Sequence, residues 1–117
     1  MSACLMIGAT ALGLATGDFD LSWTHSVEKV EWRESWRVEG DALRLVEARV
    51  RGSGAGMEPG SGAVLLDGWW VWSPGLAVPA LALAASGATG AGWTLCADGS
   101  CREFGTEAGE TLHLTPC

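Results

Sequence analysis

The chain has 117 residues, of which 48% are hydrophobic and only 18% are charged, and its formal net charge is -7. This length is enough for one domain and too short for two, and the apolar content excludes a disordered tail. The acidic charge disfavours binding to nucleic acid or to the anionic inner surface of a membrane. The sequence therefore predicts one small acidic domain with a core of its own.

The first 17 residues carry no charge and are mainly apolar. This run is too short for a spanning helix and has the length of the apolar part of a secretory signal. The small residues Ala15-Thr16-Gly17 suit a signal peptidase, although no basic residue precedes the run. We predict a cleaved signal or an uncleaved membrane tether over residues 1–17, followed by a single β-domain over residues 18–117. The remaining alternative is a buried helix or strand of the domain.

From residue 18 onward, apolar residues alternate with polar ones in short runs separated by turn residues. A period of two predicts β-strands, and no helical period persists long enough for an independent helix. Nine runs are predicted strands: 19–24, 30–39, 43–51, 63–66, 69–73, 81–85, 93–96, 101–104 and 111–115. The predicted fold class is all-β, a small antiparallel β-sandwich or partly closed barrel of eight or nine short strands.

Two irregularities interrupt the alternation. In the run 43–51 the apolar positions change parity near Leu45, which predicts a β-bulge there. Glu34 falls on the apolar side of the run 30–39, and we expect a structural ion pair with a nearby arginine. Four arginines are candidates for that pair: Arg33, Arg37, Arg44 and Arg49.

Cys96 and Cys101 flank an Asp-Gly turn, so they can face each other across a hairpin at bridging distance. We predict a disulfide between them, which requires an oxidising compartment and so agrees with export. A zinc site is the alternative, but its other candidate ligands, His113 and Cys117, fit no standard zinc spacing. No metal is therefore expected. Cys117 has no evident partner, because Cys4 would leave with a cleaved signal.

The first candidate for a binding site follows the first predicted strand. His25 keeps the parity of the apolar residues of that strand, and an imidazole can act as a base, a metal ligand or a hydrogen-bonding group. Ser26 points to the opposite face, so the two do not form a nucleophile and its base. Together with Glu28 they are candidates for contact with a ligand or partner. The alternative is a half-buried histidine that fixes the turn.

The second candidate is the glycine-rich loop over residues 52–62, whose backbone N–H groups can surround an anion. Four of its residues are candidates for contact with a ligand: Gly54, Gly56, Met57 and Glu58. The loop matches neither a Walker motif nor a dinucleotide-binding motif, and its glutamate would oppose a bound anion. The alternative is a tight crossover between sheets.

The third candidate is the tryptophan-rich run after the Asp-Gly turn at residues 67–68. Trp70 and Trp72 share one face of this predicted strand, and Trp69 lies on the other face. At least one of the rings therefore faces outward or lines a groove, where aromatic side chains bind sugars or anchor a protein partner. We single out Trp69 and Trp70 as candidates. The alternative is core packing on one side and a covering loop on the other.

Several of these segments, in the same order, resemble a bacterial family known only as domain of unknown function 1850. The similar segments are residues 19–29, 52–59, 67–70, 86–90 and the hairpin of Cys96 and Cys101. The resemblance covers nearly all of residues 18–104. It implies a small exported or membrane-tethered protein without an established activity, often found near tripartite ATP-independent periplasmic (TRAP) transporters with TAXI-type solute receptors.

These expectations favour a non-enzymatic periplasmic accessory protein that binds a transporter component or its solute receptor, without a cofactor and without nucleic acid. The alternative is a small-ligand-binding module, with a pocket formed by His25 and the glycine-rich loop 52–62. A hydrolase that uses His25 with Glu28 or Glu58 is least favoured, because neither a nucleophile elbow nor a metal motif is present.

Overall fold

The computed structural model describes residues 3–24, 30–52, 60–84, 92–105 and 109–117. Within these residues the chain forms twelve β-strands in two sheets whose neighbouring strands all run antiparallel. The described residues contain no helix that is long and apolar enough to cross a membrane. The predicted all-β fold class is confirmed.

The twelve strands follow one another along the chain with short connections. Their bounds are β1 Ala3–Ile7, β2 Thr10–Leu14, β3 Asp18–Thr24, β4 Glu31–Glu39, β5 Ala42–Val50, β6 Val64–Leu66, β7 Trp69–Trp72, β8 Ala77–Val78, β9 Leu81–Leu83, β10 Trp93–Ala97, β11 Ser100–Phe104 and β12 Leu112–Pro116. Nine of these strands coincide with the nine predicted runs, and their ends differ by at most two residues. The strands β1, β2 and β8 are not among the predicted runs.

The larger sheet has the strand order β11-β10-β3-β4-β5-β7-β6, and β8 pairs with β5 beside this path. The smaller sheet has the order β2-β1-β12-β9. One continuous apolar core joins the two sheets. From the larger sheet it contains Phe19, Leu21, Trp36, Leu43, Leu45 and Leu95, and from the smaller sheet Leu5, Ile7, Leu14, Leu83 and Leu114. Of the two predicted architectures, the small β-sandwich agrees with the structure.

The apolar N-terminal segment lies inside this sandwich. β1 and β2 form a hairpin, β1 also pairs with β12, and Leu5, Ile7 and Leu14 are buried in the core. In the structure β1 and β2 therefore belong to the sandwich, which corresponds to the remaining alternative from the sequence, a buried strand of the domain. An uncharged apolar run suits a buried strand as well as a signal. Cleavage after residue 17 would remove both strands from the sandwich, and export of the chain itself stays a prediction.

The predicted β-bulge lies where the parity of β5 changes. Ser35 pairs with Glu47 and Trp36 pairs with Leu45, so Val46 is the extra residue. Before the bulge the odd-numbered residues of β5 face the core, and after it the even-numbered ones do. The bulge is confirmed.

Both Asp-Gly dipeptides form two-residue hairpin turns. Asp67 and Asp98 have φ angles of 50° and 52°, and the glycines that follow them are also left-handed. Two successive residues with positive φ define the type I′ turn that matches the twist of a hairpin. The hairpins β6–β7 and β10–β11 therefore follow directly from their turn sequences.

Two disulfides connect strands that neighbour each other in the sheets. Cys96 and Cys101 are paired directly across the β10–β11 hairpin, as predicted. Cys4 on β1 bonds to Cys117 after β12, with Cα atoms 5.0 Å apart. The expectation that Cys117 has no partner was wrong, since it depended on the loss of Cys4. All four cysteines are bridged, which leaves no thiolate for the zinc alternative and agrees with an oxidising, exported compartment.

Gly60 lies so close to the indole ring of Trp72 that a β-carbon at residue 60 would overlap the ring atoms Nε1 and Cδ1. We expect Gly60→Ala to lower the free energy of unfolding by about 1–3 kcal/mol, because the ring or the backbone must shift. Gly109→Ala is the matched control, since no atom of the described residues lies within 4 Å of its added β-carbon. Urea unfolding measures both variants, and equal stability would contradict the close packing at Gly60.

Candidate functional site

Most of the candidate binding residues from the sequence lie outside the described residues. These residues are His25, Ser26, Glu28, Gly54, Gly56, Met57 and Glu58. The pocket expected from the histidine and the glycine-rich loop therefore stays a prediction. The other two candidates, Trp69 and Trp70, lie on β7 and are described.

The two faces of β7 have different surroundings. Trp70 is paired with Val50 of β5, and Val50 with Trp32 of β4, so these three side chains share one face of the sheet. Val50 is fully buried, which makes this the inner face. Trp69 projects from the opposite, outer face because side chains alternate along a strand.

Four tryptophans form a continuous row on the inner face. The rings of Trp93 and Trp23 lie 4.6 Å apart, and Trp23 stacks on Trp32 at 5.8 Å. Trp32 then contacts Trp72 in an edge-to-face arrangement, also at 5.8 Å. The indole N–H of Trp93 donates a hydrogen bond to the carbonyl of Ala84. The four rings are half-buried and belong to four different strands, and among them Trp93 packs against the core that the two sheets share.

On the outer face, three arginine side chains surround Trp69. The guanidinium carbons of Arg51, Arg33 and Arg49 lie 4.8, 5.2 and 5.9 Å from the centre of its ring. At these distances a guanidinium is attracted to the electron-rich face of an indole. Trp69 is therefore only 9% exposed although it projects outward. Among the described residues, arginine side chains cover Trp69, and the alternative of a covering loop stays a prediction.

The charges around Trp69 are only partly balanced. Arg33 pairs with Glu31 at 2.7 Å, and Arg49 pairs with Glu47 at 2.5 Å. Arg51 has no ion-pair partner within the described part of the chain. Arg51 is thus the one arginine of the three without an ion pair among the described residues, and the exposed Asp67 in the neighbouring β6–β7 turn forms none with it.

Exposed apolar side chains lie next to the arginines. The three residues of β6, the end strand of the larger sheet, are each more than half exposed: Val64 57%, Leu65 55% and Leu66 55%. Val64 pairs with Val71 and Leu66 with Trp69, which places them on the outer face. We call this surface the Trp69 patch. Its members are Val64, Leu66, Trp69, Val71, Arg33, Arg49 and Arg51.

The Trp69 patch is not evident as a unit from the sequence. The sequence indicates Arg33 and Arg49 only as candidate partners of Glu34, and it predicts no role for Arg51. The alternation along each strand places these arginines on the outer face. Only the register between the strands shows that they lie next to one another and next to Trp69. Arg33 faces Arg49 across β4 and β5, and the next pairing brings β7 alongside.

Glu34 makes no ion pair with the expected arginines. The arginines pair elsewhere, in the ion pairs Arg33–Glu31, Arg37–Asp18, Arg44–Glu39 and Arg49–Glu47. All four arginines project from the outer face, whereas Glu34 projects from the inner face with its neighbour Trp36. The indole N–H of Trp36 donates a hydrogen bond of 3.0 Å to the Glu34 carboxylate instead. Burial raises the pKa of Glu34 above its ordinary value of 4.5, and the Trp36 hydrogen bond opposes this effect more weakly.

We expect Glu34→Gln to remove a component of the pH dependence of stability. Because the pKa of Glu34 is higher in the folded than in the unfolded chain, its stabilising contribution is complete below about pH 4.5. This contribution is lost as the pH rises through the raised pKa. In the variant, the amide still accepts the Trp36 hydrogen bond but does not ionise. The wild type should thus lose stability relative to the variant as the pH rises.

Urea unfolding of the wild type and the Glu34→Gln variant between pH 4 and 8 tests this expectation. Glu110→Gln is the control, because Glu110 is an exposed carboxyl without a packed environment. A difference between the wild type and the Glu34→Gln variant that stays constant over the pH range would contradict the prediction.

The outer face also has a shallow depression next to the Trp69 patch. It encloses about 250 Å³ and is lined by Asp20, Ser22, Arg33, Thr94 and Cys96. Within the described ranges, no group of three or more His, Cys, Asp or Glu side chains is placed to hold a metal ion. The candidate binding groups on this face are the arginines and the exposed apolar side chains of the Trp69 patch.

A protein-family model described as a domain of unknown function (DUF1850) matches residues 19–104. No curated protein and no solved structure matches the chain. The matched region extends from the second residue of β3 to the end of β11, so it contains every residue of the Trp69 patch. The N-terminal hairpin and β12 lie outside it.

Proposed function

This chain belongs to the family described as a domain of unknown function (DUF1850), and from this premise we propose that it is an exported, non-enzymatic interaction protein. In this proposal its place of action is the periplasm. Its partner is a component of a TRAP-type solute transporter or the transporter's TAXI-type solute receptor. The Trp69 patch is the docking surface.

The observation that carries the proposal is the exposure of β6. Three consecutive large apolar residues at the end of a sheet are unusual on a monomeric protein, and such patches mark interaction surfaces. End strands also have unpaired backbone groups that invite contact with another chain. A partner that covers β6 would remove its apolar side chains from water.

The two disulfides support the exported location. Disulfides persist in oxidising compartments such as the bacterial periplasm and are rare in the cytosol. Both bridges in this chain join strands that are already neighbours in the sheets, and together they use all four cysteines. Both disulfides can therefore persist in the periplasm, where the solute receptors of transporters also act.

Site-specific photocrosslinking in intact bacterial cells tests the proposal. A photoreactive amino acid replaces Leu66 on the patch, and the same residue at Ala11 is the control, because Ala11 is exposed on the smaller sheet. We expect an adduct with a transport protein or a solute receptor from position 66 alone. The proposal is wrong if equal adducts form from both positions, if no adduct forms, or if the adduct joins two copies of this chain.

A further inference from the structure

We infer that the Trp69 patch recognises an acidic segment of its partner, in which a carboxylate binds Arg51 and an adjacent apolar side chain packs on Val64 and Leu66. This inference rests on the proposed function and names the chemistry of the partner. The proposed function depends on exposed apolar side chains, and the inference adds that a charged contact at Arg51 determines which partner binds.

The arrangement around Trp69 favours a bound anion. Three guanidinium groups within 6 Å of one ring attract the ring but repel one another. Glu31 and Glu47 neutralise two of them, which leaves the charge of Arg51 unbalanced among the described residues. A carboxylate supplied by a partner would accept paired hydrogen bonds from the Arg51 fork and would also reduce the repulsion.

The charge of the whole protein restricts where such a partner can bind. With a net charge of -7, most of the surface repels an acidic segment, whereas the patch presents Arg51, an arginine without an ion pair among the described residues. A second copy of this chain is a poor occupant of β6. Pairing of β6 around a twofold axis would place two like arginine groups on the same face of one continuous sheet.

The spacing of the patch suggests the local pattern of the partner. Leu66 pairs with Trp69 on the neighbouring strand, and Arg51 lies 4.8 Å from the centre of the Trp69 ring. Because β7 lies between β6 and β5, the backbones of Leu66 and Arg51 are about two strand spacings of ~4.8 Å apart, and the guanidinium of Arg51 shortens this separation by lying over Trp69. In an extended segment, residues i and i+2 point to the same side about 7 Å apart. An acidic residue two positions from an apolar residue fits this separation.

Binding of two synthetic peptides to the full, oxidised protein tests the inference by isothermal titration calorimetry. Both peptides have blocked ends; one alternates leucine and glutamate on one side of an extended chain, and the other has glutamine in place of glutamate. We expect the glutamate peptide to bind about tenfold more tightly, an effect that rising salt concentration weakens. Arg51→Gln should abolish this preference, and Arg51→Lys should retain only part of it.

Arg102→Gln is the matched control. Arg102 is an exposed arginine on β11, at the opposite end of the larger sheet, so its loss removes one charge without touching the patch. We expect this variant to retain the full preference for the glutamate peptide. Circular dichroism and the urea midpoint verify that the three arginine variants are folded.

The results separate the inference from the proposed function. Equal binding of the two peptides, or no binding of either, overturns the recognition of a carboxylate. If a transport protein still crosslinks at position 66 in that case, the proposed function stands without it. A clear preference for glutamate that depends on Arg51, combined with no adduct in cells, supports the inference and contradicts the transporter partner.

Discussion

Deletion of residues 1–17 is expected to prevent the chain from forming the sandwich. The deletion removes β1 and β2, half of the smaller sheet, and with them the buried side chains of Leu5, Ile7 and Leu14. The loss of one such leucine side chain typically costs about 2–5 kcal/mol, and a whole domain is stable by only about 5–15 kcal/mol. β12 would also lose its pairing partner, and Cys117 its disulfide partner.

A single substitution gives the same prediction in measurable form. We expect Leu5→Ala to lower the free energy of unfolding by about 2–5 kcal/mol, because Leu5 is fully buried between the sheets. Leu65→Ala makes the same chemical change at an exposed site and should stay within about 0.5 kcal/mol of the wild type. Urea unfolding followed by tryptophan fluorescence measures both variants.

The deletion variant also tests whether residues 1–17 belong to the stable domain. If a chain without residues 1–17 unfolds at the same urea concentration as the full chain, the hairpin is not part of the stable domain. The prediction of a cleaved signal would then gain support. Determination of the N-terminal residue of protein isolated from its native cells provides the independent check, and we expect it to precede β1.

The second large effect concerns the disulfide between Cys4 and Cys117. Replacement of both cysteines by alanine is expected to lower the free energy of unfolding by about 4–5 kcal/mol, because the bridge closes a loop of nearly the whole chain. The sequence separation of the two residues is 113. A closed loop of this size removes many conformations from the unfolded chain, which is the main source of the stabilisation in this account.

The other disulfide is the internal control for this prediction. Cys96 and Cys101 are only five residues apart, so the same chain-entropy argument assigns their bridge about 2 kcal/mol. Urea unfolding of the two double-alanine variants and of the wild type compares the bridges within one protein. Equal destabilisation, or a larger effect from the short loop, would contradict an origin in loop closure. Reaction with a thiol reagent checks that the remaining bridge is intact.

Local sequence was sufficient for the strands whose pattern is short-range. Alternation of apolar and polar residues located β3, β4 and β5, because the period of two follows from backbone geometry. The Asp-Gly pairs at residues 67–68 and 98–99 determined two hairpins, since few other residues adopt two positive φ angles in succession. The bulge at Val46 and the bridge of Cys96 and Cys101 depended on the same local rules.

The candidate site was only partly accessible from sequence. Alternation along β7 placed Trp69 opposite Trp70, but the surroundings of each ring depend on which strands lie beside β7. The register between β4, β5 and β7 brought the arginines to Trp69. Glu34 shows the same dependence, because its position was anomalous in the sequence while its hydrogen bond to Trp36 required the fold.

The sequence by itself thus determined the strand period, the tight turns and the short disulfide, all of which result from interactions between residues close in the chain. Only the tertiary structure decided that the apolar N-terminal segment pairs with β12 and that Cys4 meets Cys117. The physical reason is that the hydrophobic effect is not directional: an apolar run without charges is stabilised by burial in a lipid bilayer as well as in a protein core. Its partner is selected by backbone pairing with a strand more than 100 residues away, and no local pattern encodes that pairing.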